Sequence, residues 1–449
     1  MSEQETLKPQ EERNFGHFSY LFMWMGGCIA IGVFAIGSSL IGDLNLFQAV
    51  MSMVVGTIII AIALVLNGRA GNKYGIPYTI HLRSAFGIKG SKIPGLIRAV
   101  PALVWFGFQS WVGAGAINAI LKTMFGFDSI WICFLLFQGI QVALSLYGFK
   151  GIKWLENIGA IFILGALAYM FYSVINRYGL EISSSVVNIE GSWGLAFWGG
   201  TTAFIGQYST MILNVGDYSR QYKRESRSLL TGALYWFAIG PAILFMGLIG
   251  LVVTGATGIS DPVAVFTNSI ENPILMTITL LFIIFAQITT NVLNNLVPPV
   301  YVFMDAFKLS YKKSVVLVGI LAIFTFPWKL VTEESAAGLA VFIQTYAAFL
   351  GPIFAVMMVD YFFIRKQKLD VESLYDENGP FKGVNISAII AIIIGAIVAL
   401  IEVRLSWYSS LIPAGLSYYL LMKHMSSSKR FLVGTDMESE PISSQKINM

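Results

Sequence analysis

An all-α polytopic membrane protein with about twelve transmembrane helices is the fold class this sequence predicts, on three observations. First, 56% of the 449 residues are hydrophobic, 12% are charged, and the mean hydropathy is +0.71. A soluble chain carries about twice that share of charge. Second, apolar runs of about 20 residues recur along the whole length, enough for a helix to cross a bilayer core. Third, the basic residues divide by side. Of the 29 lysines and arginines, only Lys122, Arg177, Lys329 and Arg404 fall in odd-numbered connections between runs. The rest go with the termini and the even-numbered connections, so both termini are expected in the cytoplasm of a multi-pass protein of the cell (inner) membrane.

Taken in order, the expected spans cover 19–41, 46–66, 94–121, 130–148, 155–176, 194–214, 229–254, 273–297, 314–331, 336–364, 384–403 and 406–422. Residues 1–18 form a polar cytoplasmic tail without the apolar segment of a cleaved signal peptide. Residues 19–423 form one membrane domain, and 424–449, rich in Ser, Lys and Glu, are expected to be disordered. The connection from Asn67 to Lys92 is too polar to span and reads as a re-entrant or surface helix. The tenth span is long and invites a break at Gly351-Pro352. Basic clusters such as Arg220, Lys223, Arg224 and Arg227 are accounted for by orientation. The sequon at Asn385 lies at the cytoplasmic start of a span and is expected to be silent.

Some function classes fall away. The net charge of +4 is explained by membrane orientation, not by nucleic acid. Cys28 and Cys133 lie in separate apolar runs and have no CxxC or His partner, so neither a disulfide nor a metal centre is expected. A membrane enzyme would need a cluster of His, Asp or Cys. His81 in the 67–92 connection is the one histidine of interest, and it stands alone.

Polar side chains inside spans need a reason. Gln109 stands in the third span. Thr201, Thr202, Gln207, Ser209, Thr210 and Asn214 stand in the sixth. Gln287, Thr289, Thr290, Asn291, Asn294 and Asn295 stand in the eighth. Amides and hydroxyls without carboxylates suit a neutral ligand with its own amide edges, or a dehydrated alkali cation. In WFGFQSW, Trp105 and Gln109 are four apart and share a helix face. A ring can stack on a flat heterocycle while the amide bonds its edge. The other reading is bundle packing for Trp105 and an interhelical bond for Gln109. Trp111 points elsewhere and reads as a packing residue. The first span, WMGGCIAIGVFAIGSSLIG, and the sixth, WGGTTAFIGQYSTMILNVGD, are glycine-rich at corresponding positions. That pattern marks either discontinuous helices of an inverted repeat or ordinary close packing through small residues.

Three stretches carry a resemblance. IPYTIHLRSAFGIKGSKIPGLIRAVPALVWFGFQSWVG has a proline-led loop, an Arg-x-x-Phe-Gly element, an Arg-Ala pair and Trp-Phe-Gly-x-Gln. TMILNVGDYSRQYK has Asn-x-x-Asp-aromatic-Ser-Arg, and ITTNVLNNLVPP follows. Together they resemble the nucleobase–cation symporter-1 family of hydantoin, allantoin, uracil and cytosine permeases, over most of the chain from Phe15. The first stretch is more similar to the allantoin, uracil and hydantoin branch.

The resemblance implies a five-plus-five inverted repeat of the leucine-transporter type (about 19–176 and 194–364) plus two C-terminal helices (384–422). It also implies alternating access around a midplane site. It assigns substrate stacking to Trp105, edge bonding to Gln109, a second stacking ring to Tyr208 and a further bond to Asn295. Better-studied hydantoin-type members have tryptophan where Tyr208 stands. A sodium site is implied at Ala286, Thr289 and Thr290, with backbone oxygens near Gly26 and Ile29, the last two placed by distance alone. No cofactor is implied beyond the coupling ion, with a proton as the alternative to sodium. The implied partners are a small heterocycle, that cation and the bilayer; no nucleic-acid partner is expected. A purine, cytosine or thiamine-precursor substrate, a channel and a non-transporting sensor are the alternatives.

Overall fold

The computed structural model describes residues 7–28, 31–146, 179–225, 227–270, 272–330 and 335–438, with isolated helical positions between 165 and 176. The expected fifth span (155–176) lies almost wholly outside them, as do Ile29 and the last residues of the C-terminal tail.

The described chain is helical, and its only β pairing is an isolated bridge between Phe15 and Tyr222. The elements are α1 (His17–Cys28), α2 (Ile31–Ser38), α3 (Leu46–Tyr74), α4 (Tyr78–Phe86), α5 (Lys92–Phe125), α6 (Ile130–Leu146), α7 (Leu195–Ser219), α8 (Ser228–Thr257) and α9 (Pro262–Ser269). Then come α10 (Pro273–Phe307), α11 (Tyr311–Ile323), α12 (Ser335–Met358, continued as a π turn over Val359–Ile364), α13 (Ile386–Ile401) and α14 (Ser406–His424). Among the described residues, α3, α5, α8, α10 and the Gly338–Ile364 part of α12 are each long and apolar enough to cross a membrane, and the bent pair α1–α2 makes a sixth candidate. The other expected spans in the described residues fall on helices that are shorter or more polar.

Local chemistry sets the helix ends. Asn45 and Gln48 form a reciprocal capping box at the start of α3. Asn272 caps α10 by accepting from the amides of Ile274 and Leu275, with Pro273 at the first helical position.

The two glycine-rich runs behave differently. The first is broken: α1 and α2 are bent by 53° relative to each other. The sixth is not broken at its glycines. α7 runs helical from Leu195 to Ser219 apart from Asn214 (φ −91°, ψ 17°). There the glycines serve packing: a Cβ on Gly206 would stand 2.5 Å from Ile343. Close packing also explains Gly37 and Gly250, whose missing side chains let α2 and α8 lie almost backbone to backbone. A Cβ at either would stand 2.0 Å from a carbonyl oxygen of the other helix.

The break expected at Gly351-Pro352 is absent, and α12 passes through Pro352 as one helix. Bundle helices tolerate proline where neighbours enclose it. Pro352 packs closely against Gly395 of α13, and Gly351 against Ser410 of α14.

The disorder expected from residue 424 also needs correction. Ser426–Leu432 form a 3-10 turn that buries Ser428, Phe431 and Leu432. The apolar Phe431-Leu432 pair finds a covered seat, which composition alone did not suggest.

The connection read as a re-entrant or surface helix holds a buried one, α4, so the surface alternative falls. Every residue of α4 is buried. It is clamped at the end of the bundle where both described chain ends lie. Arg83 pairs with Asp305 of α10 and donates to the carbonyl of Leu374. Ser84 donates to Asp360, which also accepts from Arg365 (2.8 Å) and Tyr418 (2.9 Å). Arg365 reaches on to the carbonyls of Ser84 and Phe431. Asp305 and Asp360 are both buried in this cluster. Burial pushes the His81 imidazole down to about 4, so it sits neutral in this helix against the edge of Tyr361.

Candidate substrate site at the broken helix

Breaking a helix frees backbone groups that something must satisfy. At the α1–α2 break, side chains of two other helices do so. Tyr208 of α7 donates its hydroxyl to the carbonyl of Cys28 (3.1 Å). Asn294 of α10 donates its amide to the carbonyl of Gly27 (2.8 Å).

A third helix approaches through Gly32. A Cβ there would lie 2.9 Å from the Trp105 ring and 3.0 Å from Nε2 of Gln207. Only glycine lets the indole of α5 lie flush on α2. The ring edge is then fixed by a fourth helix, because Trp105 Nε1 donates to the hydroxyl of Tyr346 on α12 (3.1 Å). Trp105 and Tyr208 are both 2% exposed.

α5 can present this face because Arg98, Ala102, Trp105, Gln109 and Val112 recur at helical spacing, and all are buried. Gln109 is therefore inside, one turn above Trp105, and its Oε1 has no hydrogen-bond partner. Leaving a buried amide oxygen unpaired costs about 1–3 kcal/mol. A bound donor would remove that cost. Trp111 instead joins a ring cluster with Trp131, Phe134 and Trp328, the packing role expected of it.

α10 loosens where it matters. Pro298 and Pro299 supply no amide hydrogen to the carbonyls one turn earlier, and a π turn forms over Val292–Leu296. This turn divides the asparagines. Asn294 goes to the break. Asn295 donates to Oδ1 of Asn291 (2.9 Å), which itself donates to the Phe106 carbonyl and to Gln141. Asn295 is thus held on the α5 side. Thr289 and Thr290 are buried in the preceding turn, and Ala286 lies one turn before Thr290 in the same helix. Gly26 is buried in the last turn of α1. Among the described residues no group of three His, Cys, Asp or Glu side chains is placed to hold a metal ion.

Arg98 is the residue sequence reasoning missed. It is fully buried, and its Nη2 donates to Oδ1 of Asn214 (2.6 Å). Asn214 donates to Asp217 (3.4 Å), which caps α4 by accepting from the amide of Tyr78 (2.9 Å). The kink in α7 falls on the bridging residue Asn214. The signal was present: Arg98 belongs to the Arg-Ala pair and lies seven residues, two helical turns, before Trp105 on one face.

Four helices converging on a broken one, with aromatic faces and neutral amides at the junction, define a membrane carrier rather than an enzyme. The chain matches the family described as permease for cytosine/purines, uracil, thiamine and allantoin over residues 7–422, and it belongs to that family. It is a multi-pass membrane permease. The chain is 29% identical to the allantoin permease of Bacillus subtilis, covering 93% of each protein. It is 27% identical to the hydantoin permease of Microbacterium maritypicum, covering 95% of this chain and 89% of that one. Its fold matches that of Mhp1, a nucleobase-cation-symport-1 family transporter, solved in a closed conformation with bromovinylhydantoin bound. The TM-score is 0.84, at 25% identity and 96% coverage of both chains.

Proposed function

We propose that this permease imports a neutral heterocycle, a nucleobase or hydantoin-type ring, by cation symport, in a cell membrane with both termini cytoplasmic. The observation that carries the reading is the buried Trp105 ring with the unpaired Gln109 oxygen one turn away, beside the α1–α2 break. Trp105 and Tyr208 supply faces for a flat ring, and Gln109 supplies an edge. The names of the allantoin and hydantoin permeases support the same ligand class. Sodium is favoured as the coupling ion because Thr289 and Thr290 bring hydroxyls to the turn of α10 that precedes its contact with α1. The proton alternative is supported by the Arg98–Asn214–Asp217 chain, which links Arg98, two turns from Trp105, to the carboxyl group of Asp217.

The test is ligand-induced thermal stabilisation of the purified protein with uracil, allantoin, hydantoin, cytosine, hypoxanthine and a thiamine-precursor pyrimidine, each with and without sodium. A ligand that binds only the folded state raises Tm by mass action. One ring should do so, more strongly in sodium, and should be taken up into proteoliposomes along a sodium gradient. No stabilisation by any ring on a folded sample would defeat the substrate reading. Binding without uptake would indicate a sensor. Changing Thr289 and Thr290 together to Ala is expected to leave ring binding measurable but independent of sodium. Sodium stimulation that survives the double change places the cation elsewhere.

A further inference from the structure

We infer that Gln207 is a specificity-determining residue of this site, a second edge reader beside Gln109; the inference rests on the heterocycle reading above. The argument starts from α7. Gln207 precedes Tyr208, which is bound to the Cys28 carbonyl, so the helix carries its neighbour toward the same break. Its Nε2 lies over Gly32, the glycine on which the Trp105 indole rests. One face of α2 therefore holds both the ring that would stack on a ligand and the carboxamide of Gln207.

The oxygen of that carboxamide is buried and has no hydrogen-bond partner, as is true of Gln109. A single unpaired amide oxygen can be an accident of packing. Two of them, on different helices and both close to Trp105, form an acceptor pair. A third acceptor is fixed in direction: Asn294 must turn its NH2 toward the Gly27 carbonyl, which leaves its buried Oδ1 unpaired as well. A site lined by acceptors selects rings whose edges carry N–H donors, as in imides and cyclic ureides. It disfavours rings that present a bare nitrogen acceptor at the same edge.

N-methylated ligands test this, because each methyl removes one donor. Wild type is measured with uracil, 1-methyluracil and 3-methyluracil, and with hydantoin and its two N-methyl isomers. Wild type should bind the unmethylated ring best. Gln207→Met is close in shape but accepts no hydrogen bond. It should bind that ring about 10-fold more weakly, in line with the loss of one buried hydrogen bond. It should also lose the penalty for methylation at one ring nitrogen while keeping it at the other. Gln109→Met should show the complementary pattern. Should Gln207→Met give no ligand-free melting transition, Gln207→Asn, which keeps the carboxamide one methylene back, is tested by the same ranking. An equal loss for every ligand would mean that Gln207 only packs against Trp105, and unchanged affinities would mean that it faces away; either overturns the inference. Wild type stabilised by no ring at all would instead overturn the heterocycle reading, and this one with it. The wild-type rows of the same panel separate the two failures.

Discussion

Trp105→Ala is expected to abolish ligand-induced stabilisation and uptake at ligand concentrations that saturate wild type. Three contributions add. Stacking a base-like ring on an aromatic face is worth about 1–3 kcal/mol, or roughly 5- to 150-fold in affinity. The indole also holds Tyr346 through its Nε1 and fills the space over Gly32, so its loss unseats α12 and α2 where they line the site. Emptying that space costs stability as well, about 3–5 kcal/mol for a large aromatic truncated in a core. The melting temperature of the ligand-free variant will therefore fall whether or not Trp105 meets a ligand. The decisive quantity is the increment that ligand adds to it. Trp105→Phe separates the contributions, since it keeps a stacking face and loses the bond to Tyr346. It should retain binding weakened several-fold. A Trp105→Ala protein that is still stabilised as much as wild type would remove the ring from the site, and with it the observation on which the heterocycle reading stands.

The parts legible in the sequence are those governed by the cost of polarity in lipid. Apolar length and the sidedness of lysine and arginine gave the helical class. The rarity of amides in spans pointed to Gln109 and to the asparagines of α10. Helical spacing put Trp105 and Gln109 on one face. Three things were less legible, each for a physical reason. Glycine marks both a break and a close contact, so composition could not tell that the first run bends between α1 and α2 while the sixth, through Gly199, Gly200 and Gly206, stays helical. A π turn shifts helix phase, so a uniform 3.6-residue reading could not say that Asn294, rather than its neighbour, reaches the Gly27 carbonyl. Pro298 and Pro299, which remove the amide donors, were the available cue. Finally, a charge near a span end reads as orientation. Arg98 and Asp360 drew no role of their own on that reading, although both are wholly buried and hydrogen-bonded across helices.

Asp360→Ala should therefore be among the most destabilising single changes in the protein, although Asp360 lies well away from the substrate site. Its carboxylate is completely buried and accepts from Ser84, Arg365 and Tyr418. Those three residues come from α4, from the end of α12 and from α14. Arg365, itself 5% exposed, continues to the carbonyls of Ser84 and Phe431. Removing the aspartate strands a buried guanidinium. Breaking one side of such a pair typically costs about 3–5 kcal/mol, more than the pair itself contributes over an apolar replacement. The asymmetry gives a sharper prediction than the single variant does. Asp360→Ala combined with Arg365→Met removes both charges, and it should melt at a higher temperature than Asp360→Ala alone. A favourable interaction energy in this double-mutant cycle is the signature of a stranded charge. An additive cycle, or an unchanged melting temperature for Asp360→Ala, would show that water reaches this end of the bundle and solvates the arginine. Ring binding below the melting transition should survive in both variants, because the clamp holds α4 and the C-terminal turn and touches neither Trp105 nor the α1–α2 break.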